Sequence, residues 1–355
     1  MFNTKKIILS RKIILMGILL VFLLILTACG NNGEEMPQAK ENAFLMDTLV
    51  QMRAHGENAE IAVEESMERI REIEKLMSKT IETSDIYKLN NNSKTEIEID
   101  NESIIVLEKA LKYAKLTDGD FDPTIGALVE LWGIGTEDAA VPEQAEIETA
   151  LANTGYNHLD LADNSAEITK EGVKIDLGGI VKGYAAEEVK KIVQKYNIEH
   201  AFVNLGGNVL VIGDKVDGSP WKIGIQDPRQ GRGNVMAVVD AVDLTIVTSG
   251  NYERYFEENG KLYHHILDPK TGYPADNNLL SVSIISENSF DADALSTAIY
   301  VMGLEKGMKF IENMENVYAM FITEELDVYL SSGLKEIVTI KDSDFNIIEG
   351  EEIAN

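Results

Sequence analysis

Cysteine is almost absent from this 355-residue chain, because Cys29 is the single one. With no second thiol available, the chain cannot form an internal disulfide bond. After Cys29 the sequence also lacks any thiolate nucleophile and any cysteine ligand for zinc. Chemistry in the body of the protein must therefore use oxygen groups, one of the five histidines, or a cofactor.

Positive charge is also scarce in this sequence. The chain has 32 Lys and Arg residues against 60 Asp and Glu, a formal net charge of −28. Lys5, Lys6, Arg11 and Lys12 lie in the first 28 residues, so the remainder has 28 cations against 60 acids, a charge of −32. Such a surface repels nucleic acid and anionic lipid, which are excluded as direct partners. A small polyanionic ligand would need a locally positive site or a metal ion.

The N-terminal segment combines those four cations with the apolar run IILMGILLVFLLILTA and contains no acidic residue. This layout predicts a secretory signal peptide over residues 1–28. Cys29 directly follows a small residue, as in a bacterial lipobox, and is the predicted lipidation site of a lipoprotein. The alternative is an uncleaved transmembrane anchor, with a run near the lower length for spanning a bilayer. Both interpretations export the protein and tether it to the cell membrane, on the extracytoplasmic face.

Residues 29–42 are polar and turn-rich, which predicts a flexible spacer. About 300 residues follow, enough for one large domain or two interleaved ones. Apolar residues at three- and four-residue steps predict an amphipathic helix over residues 59–79. Further helices are predicted at residues 102–116, after Pro142, and at 180–194, 291–302 and 305–313. Short strands between them, including VKIDL at 173–177, predict a mixed α+β fold.

The segment DLGGIVKGYAAEEVK, residues 176–190, places two glycines and a lysine where a strand is predicted to run into a helix. It lacks the glycine spacing of a P-loop and of a dinucleotide-binding fingerprint. Adjacent glycines let a ligand approach backbone N–H or C=O groups closely, and a helix N-terminus favours an anion. An ordinary strand-to-helix turn would explain the same residues.

Asp293 and Thr297 stand four residues apart in SFDADALSTAIYVMG, which places a carboxylate and a hydroxyl on one helix face. Hard oxygen ligands of this kind suit Mg²⁺ or Ca²⁺. The alternative is that Asp291 or Asp293 only complements the helix dipole, while Thr297 is a packed residue.

Two further segments contain residue types suited to chemistry. HHILDPKTGYP, residues 264–274, has two histidines before an Asp-Pro turn, and histidine suits proton transfer near neutrality. A cross-strand histidine pair followed by a loop is the alternative. In TDGDFDPTIGALVELWG, residues 117–133, Asp122 precedes a proline and could serve only the turn, while Trp132 is predicted to lie in the core.

Eight segments taken together and in order resemble the ApbE family, the FAD:protein FMN transferases. They are FLMDTLV, LMSKTIETSDIYKLN, DGDFDPT, DLGGIVKGYA, NLGGN, TSGNYERYF, HHILDPKTG and DADALSTA. The resemblance covers residues from about Phe44 to Gly303, and the remaining helix and strands fit the C-terminal portion of the family. Members of this family also include proteins with a lipoprotein leader.

The resemblance implies a T-fold-like single large domain over residues 43–345, followed by an acidic tail over 346–355. Its interleaved subdomains are expected to hold FAD in the groove between them. The implied reaction is a Mg²⁺-dependent transfer of the FMN half of FAD to a threonine hydroxyl of a target protein. The product is a phosphoester, AMP is released, and the implied acceptor is an exported or membrane-associated flavoprotein.

The resemblance also implies the residues of a metal site and a base. Asp293 and Thr297 match the side chains that hold Mg²⁺, and the backbone carbonyl of Gly179 matches the third protein ligand. His265 matches the histidine of the H-x-x-D-P-x-T-G pattern and is the predicted catalytic base for the threonine proton.

Contacts with FAD are implied for a second set of residues. They are Met46, Asp120, Phe121, Asp122, Asp176 and Lys182. Three positions depart from the usual pattern of the family. Asp47 replaces the glycine of an M-G-T sequence, Thr80 replaces a tyrosine, and Val181 replaces a smaller residue beside the metal loop.

Two other functions fit the same motifs. An FAD pyrophosphatase would use water in place of the acceptor threonine and produce FMN and AMP. A non-enzymatic flavin-binding lipoprotein would bind FAD and release no AMP. Assays that follow both the acceptor and AMP distinguish these alternatives from a transferase.

Overall fold

The computed structural model describes residues 36–231 and 233–348. The predicted signal peptide, the lipidation site Cys29 and residues 349–355 of the predicted tail lie outside this range. From Gln38 onward the described chain forms one compact unit, as predicted for a single large domain. No helix in the described part of the chain is long and apolar enough to span a membrane.

Eight α-helices occur in the described residues: α1 (Ala59–Met77), α2 (Asp85–Asn91), α3 (Asn101–Leu116), α4 (Gly126–Trp132), α5 (Gln144–Ala152), α6 (Val181–Lys195), α7 (Ser289–Met302) and α8 (Leu304–Ile311). Each of the six helices predicted from the sequence is present, while the two seven-residue helices α2 and α4 were not predicted. The buried side of α1 includes Val63, Met67, Ile70 and Ile73, at the three- and four-residue steps of the predicted stripe.

The described strands are β1 (Gln38–Leu45), β2 (Thr48–His55), β3 (Ile97–Glu98), β4 (Leu159–Leu161), β5 (Ser165–Ile168), β6 (His200–Leu205), β7 (Asn208–Ile212), β8 (Trp221–Gln226), β9 (Val235–Ala241), β10 (Thr245–Gly250), β11 (Tyr255–Glu258), β12 (Lys261–His264), β13 (Leu279–Ser286), β14 (Val317–Thr323), β15 (Asp327–Leu330), β16 (Val338–Ile340) and β17 (Asn346–Ile348). Nine of them form one sheet in the order β1-β2-β6-β7-β10-β13-β14-β15-β17. Neighbours in this sheet run antiparallel except for the parallel pair β15 and β17.

The nine-stranded sheet is buried on both faces over its central strands. Helices α1, α6 and α7 pack on one face, and the small sheet β16-β9-β8 packs on the other. Strand β7 shows the consequence, because Leu210 points into the helical core while Val209 and Val211 point into the second core. A strand buried on both sides reads as a continuous apolar run, as NVLVI does here.

A third, smaller core forms where α4 and α5 meet the loop after β12. Trp132 is fully buried there, which confirms its prediction as a core residue. Its indole Nε1–H donates a 2.8 Å hydrogen bond to the carbonyl oxygen of Gly272. This bond attaches α4 to the loop that follows His265. Helices α4 and α5 therefore support that loop from the side.

Two predicted boundaries are wrong. The predicted spacer over 29–42 overlaps β1, because residues 38–42 pair in register with β2, and the domain therefore begins before residue 43. At the other end, residues 346–348 form strand β17 and pair with β15 instead of joining a tail. Both segments lie at the edges of the sheet. Polar composition obscured the first, as is common for an edge strand, and the second is only three residues long and adjoins an acidic stretch.

The predicted strand VKIDL at 173–177 is also wrong, because these residues form only a single bridge, between Lys174 and Ile125. The backbone N–H of Ile175 donates to the Asn90 side-chain oxygen at 2.7 Å, and its carbonyl accepts from the Asn90 amide at 2.9 Å. A side chain therefore replaces the neighbouring strand as the hydrogen-bonding partner.

Candidate active site

The glycine segment after Ile175 forms a loop that leads into α6. The Asp176 backbone N–H donates to the carbonyl oxygen of Pro123 at 2.8 Å, which joins this loop to the DFDPT segment. The Asp176 carboxylate accepts from the Gly178 N–H at 2.8 Å, and the Lys182 ammonium donates to the Gly178 carbonyl at 3.0 Å. Gly178 is thus held at both its N–H and its C=O, which fixes the direction of the next peptide.

Lys79 is a residue of this site that the sequence analysis did not identify. Lys79 lies at the start of the turn that follows α1, and its ammonium is 2.6 Å from Asp176 Oδ2. Burial of Asp176 opposes ionisation, but the Lys79 charge and the hydrogen bond from Gly178 outweigh it and lower the pKa of the carboxyl. Asp176 is therefore ionised at neutral pH and paired with Lys79. The Lys79 charge reduces the repulsion between this carboxylate and an anionic ligand.

Helices α6 and α7 cross in close contact beside this loop. A Cβ atom on Gly183 would lie 2.2 Å from the Ser289 carbonyl oxygen and 2.7 Å from Asp293 Cβ, so only glycine fits at this crossing. The Gly183 N–H donates to Asp293 Oδ2 at 2.8 Å. A carboxylate from α7 therefore binds the N-terminal turn of α6, where the partial positive charge of the helix favours it.

The three predicted metal ligands lie together at this crossing. Asp293 and Thr297 are one turn apart on α7, and a Cβ on Gly179 would lie 3.1 Å from Thr297 Oγ1. The same position would be 3.3 Å from Phe121 Cε2, so the glycine loop passes between the hydroxyl and the aromatic ring. The structure thus brings a carboxylate, a hydroxyl and a glycine backbone into one place.

Asp293 is almost fully buried. Burial raises the pKa of its carboxyl, although the Lys182 charge and the hydrogen bond from Gly183 act in the opposite direction. In the described residues His, Cys, Asp and Glu form no group of three or more that could hold a metal ion. A site with one carboxylate, one hydroxyl and one backbone carbonyl differs from such a cluster. It suits Mg²⁺, because this ion keeps water molecules and ligand phosphate oxygens in its coordination shell.

His265 follows directly after β12 and is half-buried. Its Nδ1 lies 3.2 Å from the carbonyl oxygen of Arg254, which also accepts the His265 backbone N–H at 3.1 Å. Since a carbonyl only accepts, the proton is assigned to Nδ1, and Nε2 keeps its lone pair. Burial, and then the charges of Arg254 and His264, lower the pKa of His265 to about 3. The imidazole is therefore neutral at pH 7.

His264, the neighbouring histidine, is a structural residue. It is buried, and its Nε2 lies 3.0 Å from the Ala275 carbonyl oxygen while Nδ1 accepts from the Ile266 N–H at 3.3 Å. Both ring nitrogens are used within the protein, and the ring packs edge-on against Tyr300. Of the two predicted alternatives for this pair, His264 fits the structural one, and His265 alone remains a candidate base.

The carboxylates of Asp120 and Asp122 are both buried and both engaged within the protein. Asp120 forms ion pairs with Lys270 and Lys306, the first at 2.7 Å. Each of these bonds ties the segment to another part of the chain, so this loop is held rigidly.

Asp122 accepts hydrogen bonds from the Thr124 backbone N–H at 2.8 Å and hydroxyl at 2.7 Å, and from the Tyr156 N–H at 2.8 Å. Burial raises the pKa of Asp122, and these hydrogen bonds act against that rise. The side chain of Phe121 is the part of the segment that reaches the glycine loop. Flavin binding by residues 120–122 stays a prediction, with the Phe121 ring and the backbone as its available groups.

Met46 and Asp47 form the two-residue turn between β1 and β2, with φ of 53° and 56°. Both angles lie in the left-handed region that favours glycine, and aspartate tolerates it better than most residues. Glycine, which the resemblance expects at the position of Asp47, would adopt these angles without strain. The Met46 N–H donates to Glu74 Oε1 at 2.6 Å, which fixes the turn on α1.

Thr80, the second departure from the family pattern, lies in the turn between α1 and α2. Its hydroxyl is 3.0 Å from the Ser78 hydroxyl, and its N–H donates to the same oxygen. It shapes a turn next to Lys79 and presents no ring to a ligand. Lys79 belongs to the segment LMSKTIETSDIYKLN, but no spacing pattern in the sequence predicts its contact with Asp176.

These features define an α+β protein with a hard-oxygen site at a helix crossing and a neutral histidine nearby. A model of the ApbE family matches residues 46–321 of this chain. The FAD:protein FMN transferase of Treponema pallidum (strain Nichols) is 33% identical over 350 residues, which cover 93% of this chain and 96% of that protein.

Solved structures agree with the sequence comparison. The crystal structure of the ApbE protein of Thermotoga maritima superposes with a TM-score of 0.79 at 37% identity, over 85% of this chain and 99% of that one. The flavin transferase ApbE of Vibrio cholerae gives a TM-score of 0.77 at 28% identity with the same coverage of both chains. The chain belongs to the ApbE family, which confirms the resemblance, and it is a transferase enzyme.

Proposed function

We propose that this enzyme transfers the FMN half of FAD to a threonine hydroxyl of a target flavoprotein in a Mg²⁺-dependent reaction that releases AMP. The observation that carries this proposal is the meeting of Gly179, Asp293 and Thr297 at the crossing of α6 and α7. The similar proteins are an FAD:protein FMN transferase and a flavin transferase, which supports FAD as the substrate and FMN as the transferred group.

The donor atoms at the crossing fit Mg²⁺. The Asp293 carboxylate, the Thr297 hydroxyl and the Gly179 carbonyl would hold the ion from one side, and the other positions would remain for water and phosphate oxygens. When bound, Mg²⁺ would neutralise the pyrophosphate of FAD and stabilise the charge that develops on the departing AMP phosphate.

Lys182 supplies the second positive charge of the proposed site. It lies at the first turn of α6, close enough to Asp293 to affect the titration of that carboxyl. Its ammonium now contacts the Gly178 carbonyl, and a small rotation of a long flexible side chain would bring it to a phosphate. Local positive charge matters here because the protein as a whole, at −28, repels FAD.

FAD contacts are also proposed for Met46, Asp176 and the segment 120–122. Met46 lies on the β1–β2 turn, and Asp176 begins the glycine loop. The Phe121 ring lies against Gly179, where it can pack on the flavin or the ribityl chain. These residues would orient FAD, and in phosphoryl transfer orientation and electrostatics supply most of the acceleration.

His265 is proposed to accept the proton of the acceptor threonine at Nε2. The threonine oxygen forms a bond to the FMN phosphorus, and the bond from that phosphorus to the AMP phosphate oxygen breaks. AMP leaves with the electron pair, and the threonine proton resides on His265. The imidazole is neutral because burial and the Arg254 charge lower its pKa, so its Nε2 lone pair is free. Binding of the anionic pyrophosphate beside it would raise this pKa and make the ring a stronger base for the threonine proton.

We further propose that the mature protein is a lipoprotein anchored through Cys29 at the extracytoplasmic face of the cell membrane. The support is the leader over residues 1–28 and the lipobox-like position of the single cysteine. This location implies an acceptor that is exported or membrane-associated.

A transfer assay tests the proposed function. Purified protein is incubated with FAD, Mg²⁺ and membrane extract, and the products are separated on a denaturing gel and viewed by flavin fluorescence. A fluorescent acceptor band that depends on Mg²⁺ is the expected result. Free FMN and AMP without a labelled band would favour the pyrophosphatase, and FAD binding without AMP would favour a non-enzymatic flavin-binding protein.

A further inference from the structure

Arg254 connects two parts of the proposed site that are about two hundred residues apart in sequence. It lies on the loop between β10 and β11, and its side chain is exposed. Its guanidinium Nη2 donates a 3.1 Å hydrogen bond to the carbonyl oxygen of Asp47, in the turn that carries Met46. Its own carbonyl oxygen accepts from both the backbone N–H and Nδ1 of His265.

A third segment supports Arg254 from the side. A Cβ on Gly135, in the loop after α4, would lie 3.4 Å from Arg254 Cδ, so the aliphatic stem packs over this loop. The stem is thereby held while the guanidinium reaches the turn, as expected for an arginine whose methylene groups bury against a neighbouring surface. The contact restricts the side chain before any ligand binds.

The charge of Arg254 also acts on His265. Three groups from the elements around the imidazole disfavour its protonated form electrostatically: Arg254, His264 and Lys182. Among these, Arg254 has the largest effect after burial itself. Removing the Arg254 charge should therefore raise the pKa of His265, since a cation near the ring opposes addition of a proton.

The geometry points to Arg254 as a positioning residue: its backbone carbonyl holds His265, and its guanidinium ties that stretch of backbone to the β1–β2 turn through Asp47. This inference rests on the proposed function in one respect, namely that His265 is the base. The bonds from the Arg254 guanidinium to Asp47 and from His265 to the Arg254 carbonyl couple the position of the base to that of the Met46 turn. Arg254 would thereby align the acceptor threonine, at the base, with FAD, at the turn. An error of about 1 Å in such alignment can cost about 100-fold in rate.

The experiment compares Arg254→Met, Arg254→Lys and the control Arg53→Met in the full chain. Methionine keeps the length of the stem but removes both the donor and the charge, whereas lysine keeps a charge and a donor. Arg53 is an exposed arginine of β2 whose loss changes the net charge equally and leaves the bond to Asp47 in place. Thermal melting of each variant confirms that it is folded.

The primary measurement is the titration of the His265 ring by NMR in protein free of FAD and Mg²⁺. The histidine signal that is missing from His265→Gln, one of five in the wild type, is assigned to His265. Arg254→Met is expected to raise the pKa of His265 by about one unit, with Arg254→Lys and Arg53→Met near the wild type. In the transfer assay, kcat of Arg254→Met should fall about 10- to 100-fold, more than its FAD affinity, and Arg254→Lys should recover most of it.

A wild-type titration of His265 in Arg254→Met, together with a wild-type kcat, would overturn the inference. So would equal losses in Arg254→Met and Arg53→Met, because net charge would then explain the effect. Failure of the proposed function looks different: no flavin transfer by the wild type, with the NMR shift in Arg254→Met still present. The titration thus tests the charge coupling between Arg254 and His265 without any turnover, and the fall in kcat relative to FAD affinity tests the positioning role.

Discussion

Asp293 has two roles at the scale of single residues. It accepts the Gly183 N–H at the start of α6, and it is the only carboxylate among the proposed Mg²⁺ ligands. The sequence indicated both possibilities, a helix-dipole partner and a metal ligand, and left them open because spacing alone cannot show what faces a helix. The structure shows that the dipole involved belongs to α6, a different helix from its own.

Asp293→Asn separates these two roles. Asparagine keeps an oxygen that can accept the Gly183 N–H, so the helix crossing should survive, but it is a much weaker ligand for Mg²⁺. We expect transfer to fall about 100-fold or more, with a higher Mg²⁺ requirement, measured by flavin fluorescence of the acceptor over a Mg²⁺ titration.

The matched control for that variant is Asp291→Asn on the same helix. Asp291 pairs with Lys109 on α3, a helix that contributes no group to the proposed metal site. Its replacement should leave the Mg²⁺ requirement unchanged. Near-normal transfer by Asp293→Asn at saturating FAD and ordinary Mg²⁺ would remove Asp293 from the ligand set.

His265→Gln tests the proposed base at the same scale. Glutamine can occupy the position but cannot accept a proton, so kcat should fall about 10²- to 10⁴-fold while FAD affinity changes little. Stopped-flow fluorescence of FAD binding and single-turnover transfer measure the two quantities separately. His55→Gln, at the far end of β2, is the control, and equal losses of binding and turnover in His265→Gln would contradict the role of base.

At the scale of elements, the sequence predicted the long helices well and the ends of the sheet poorly. Helix α1 has a clear apolar stripe, although Ile61, an apolar residue of its first turn, is 48% exposed. Strand β1 alternates exposed and half-buried residues, as expected at a sheet edge, and its polar letters resembled a spacer. Short helices such as α2 and α4 carry too few turns for a period to be visible.

The candidate site shows the same limit. Motif order identified Gly179, Asp293 and Thr297, and the structure brings them together. Lys79 and Arg254 were missed because each acts through a partner distant in sequence, Asp176 in one case and Asp47 in the other. Single-sequence patterns report which face a residue occupies and not which distant loop it meets.

The crossing of α6 and α7 gives a prediction at this scale. In Gly183→Ala the new Cβ would meet backbone atoms of α7, which cannot move aside as a side-chain end can. We expect a loss of about 1–3 kcal/mol in the free energy of unfolding and a raised Mg²⁺ requirement, because the helices must separate and carry Asp293 away. Urea unfolding and the Mg²⁺ titration measure these effects.

Gly231→Ala is the control for that substitution. A Cβ at Gly231 would have no atom within 4 Å, so both stability and the Mg²⁺ requirement should remain at the wild-type level. If Gly183→Ala behaved like this control, the close crossing would not be what holds Asp293 in place.

At the scale of the whole molecule, the strongly acidic chain must attract a polyanionic substrate and remain near its acceptor. Its formal charge of −28 makes the local cations and the proposed Mg²⁺ necessary for FAD to approach. A membrane tether would raise the local concentration of a membrane-associated acceptor. The composition thus favours a site built on local positive charge.

The anchor can be tested on protein purified from membranes. Mass spectrometry of the N-terminal peptide should find Cys29 as the first residue, with the added mass of a diacylglycerol group. Cys29→Ser should prevent this processing. An unmodified chain that still carries residues 1–28 would show the transmembrane alternative to be right.

The central claim is tested most directly by counting products from FAD labelled in its adenosine half. The enzyme, Mg²⁺ and an acceptor flavoprotein are incubated together, and released AMP is compared with covalently bound flavin on the acceptor by mass spectrometry. The account predicts one AMP for each FMN attached to a threonine, with both products reduced about 100-fold or more in Asp293→Asn. AMP release with free FMN and an unmodified acceptor would contradict it.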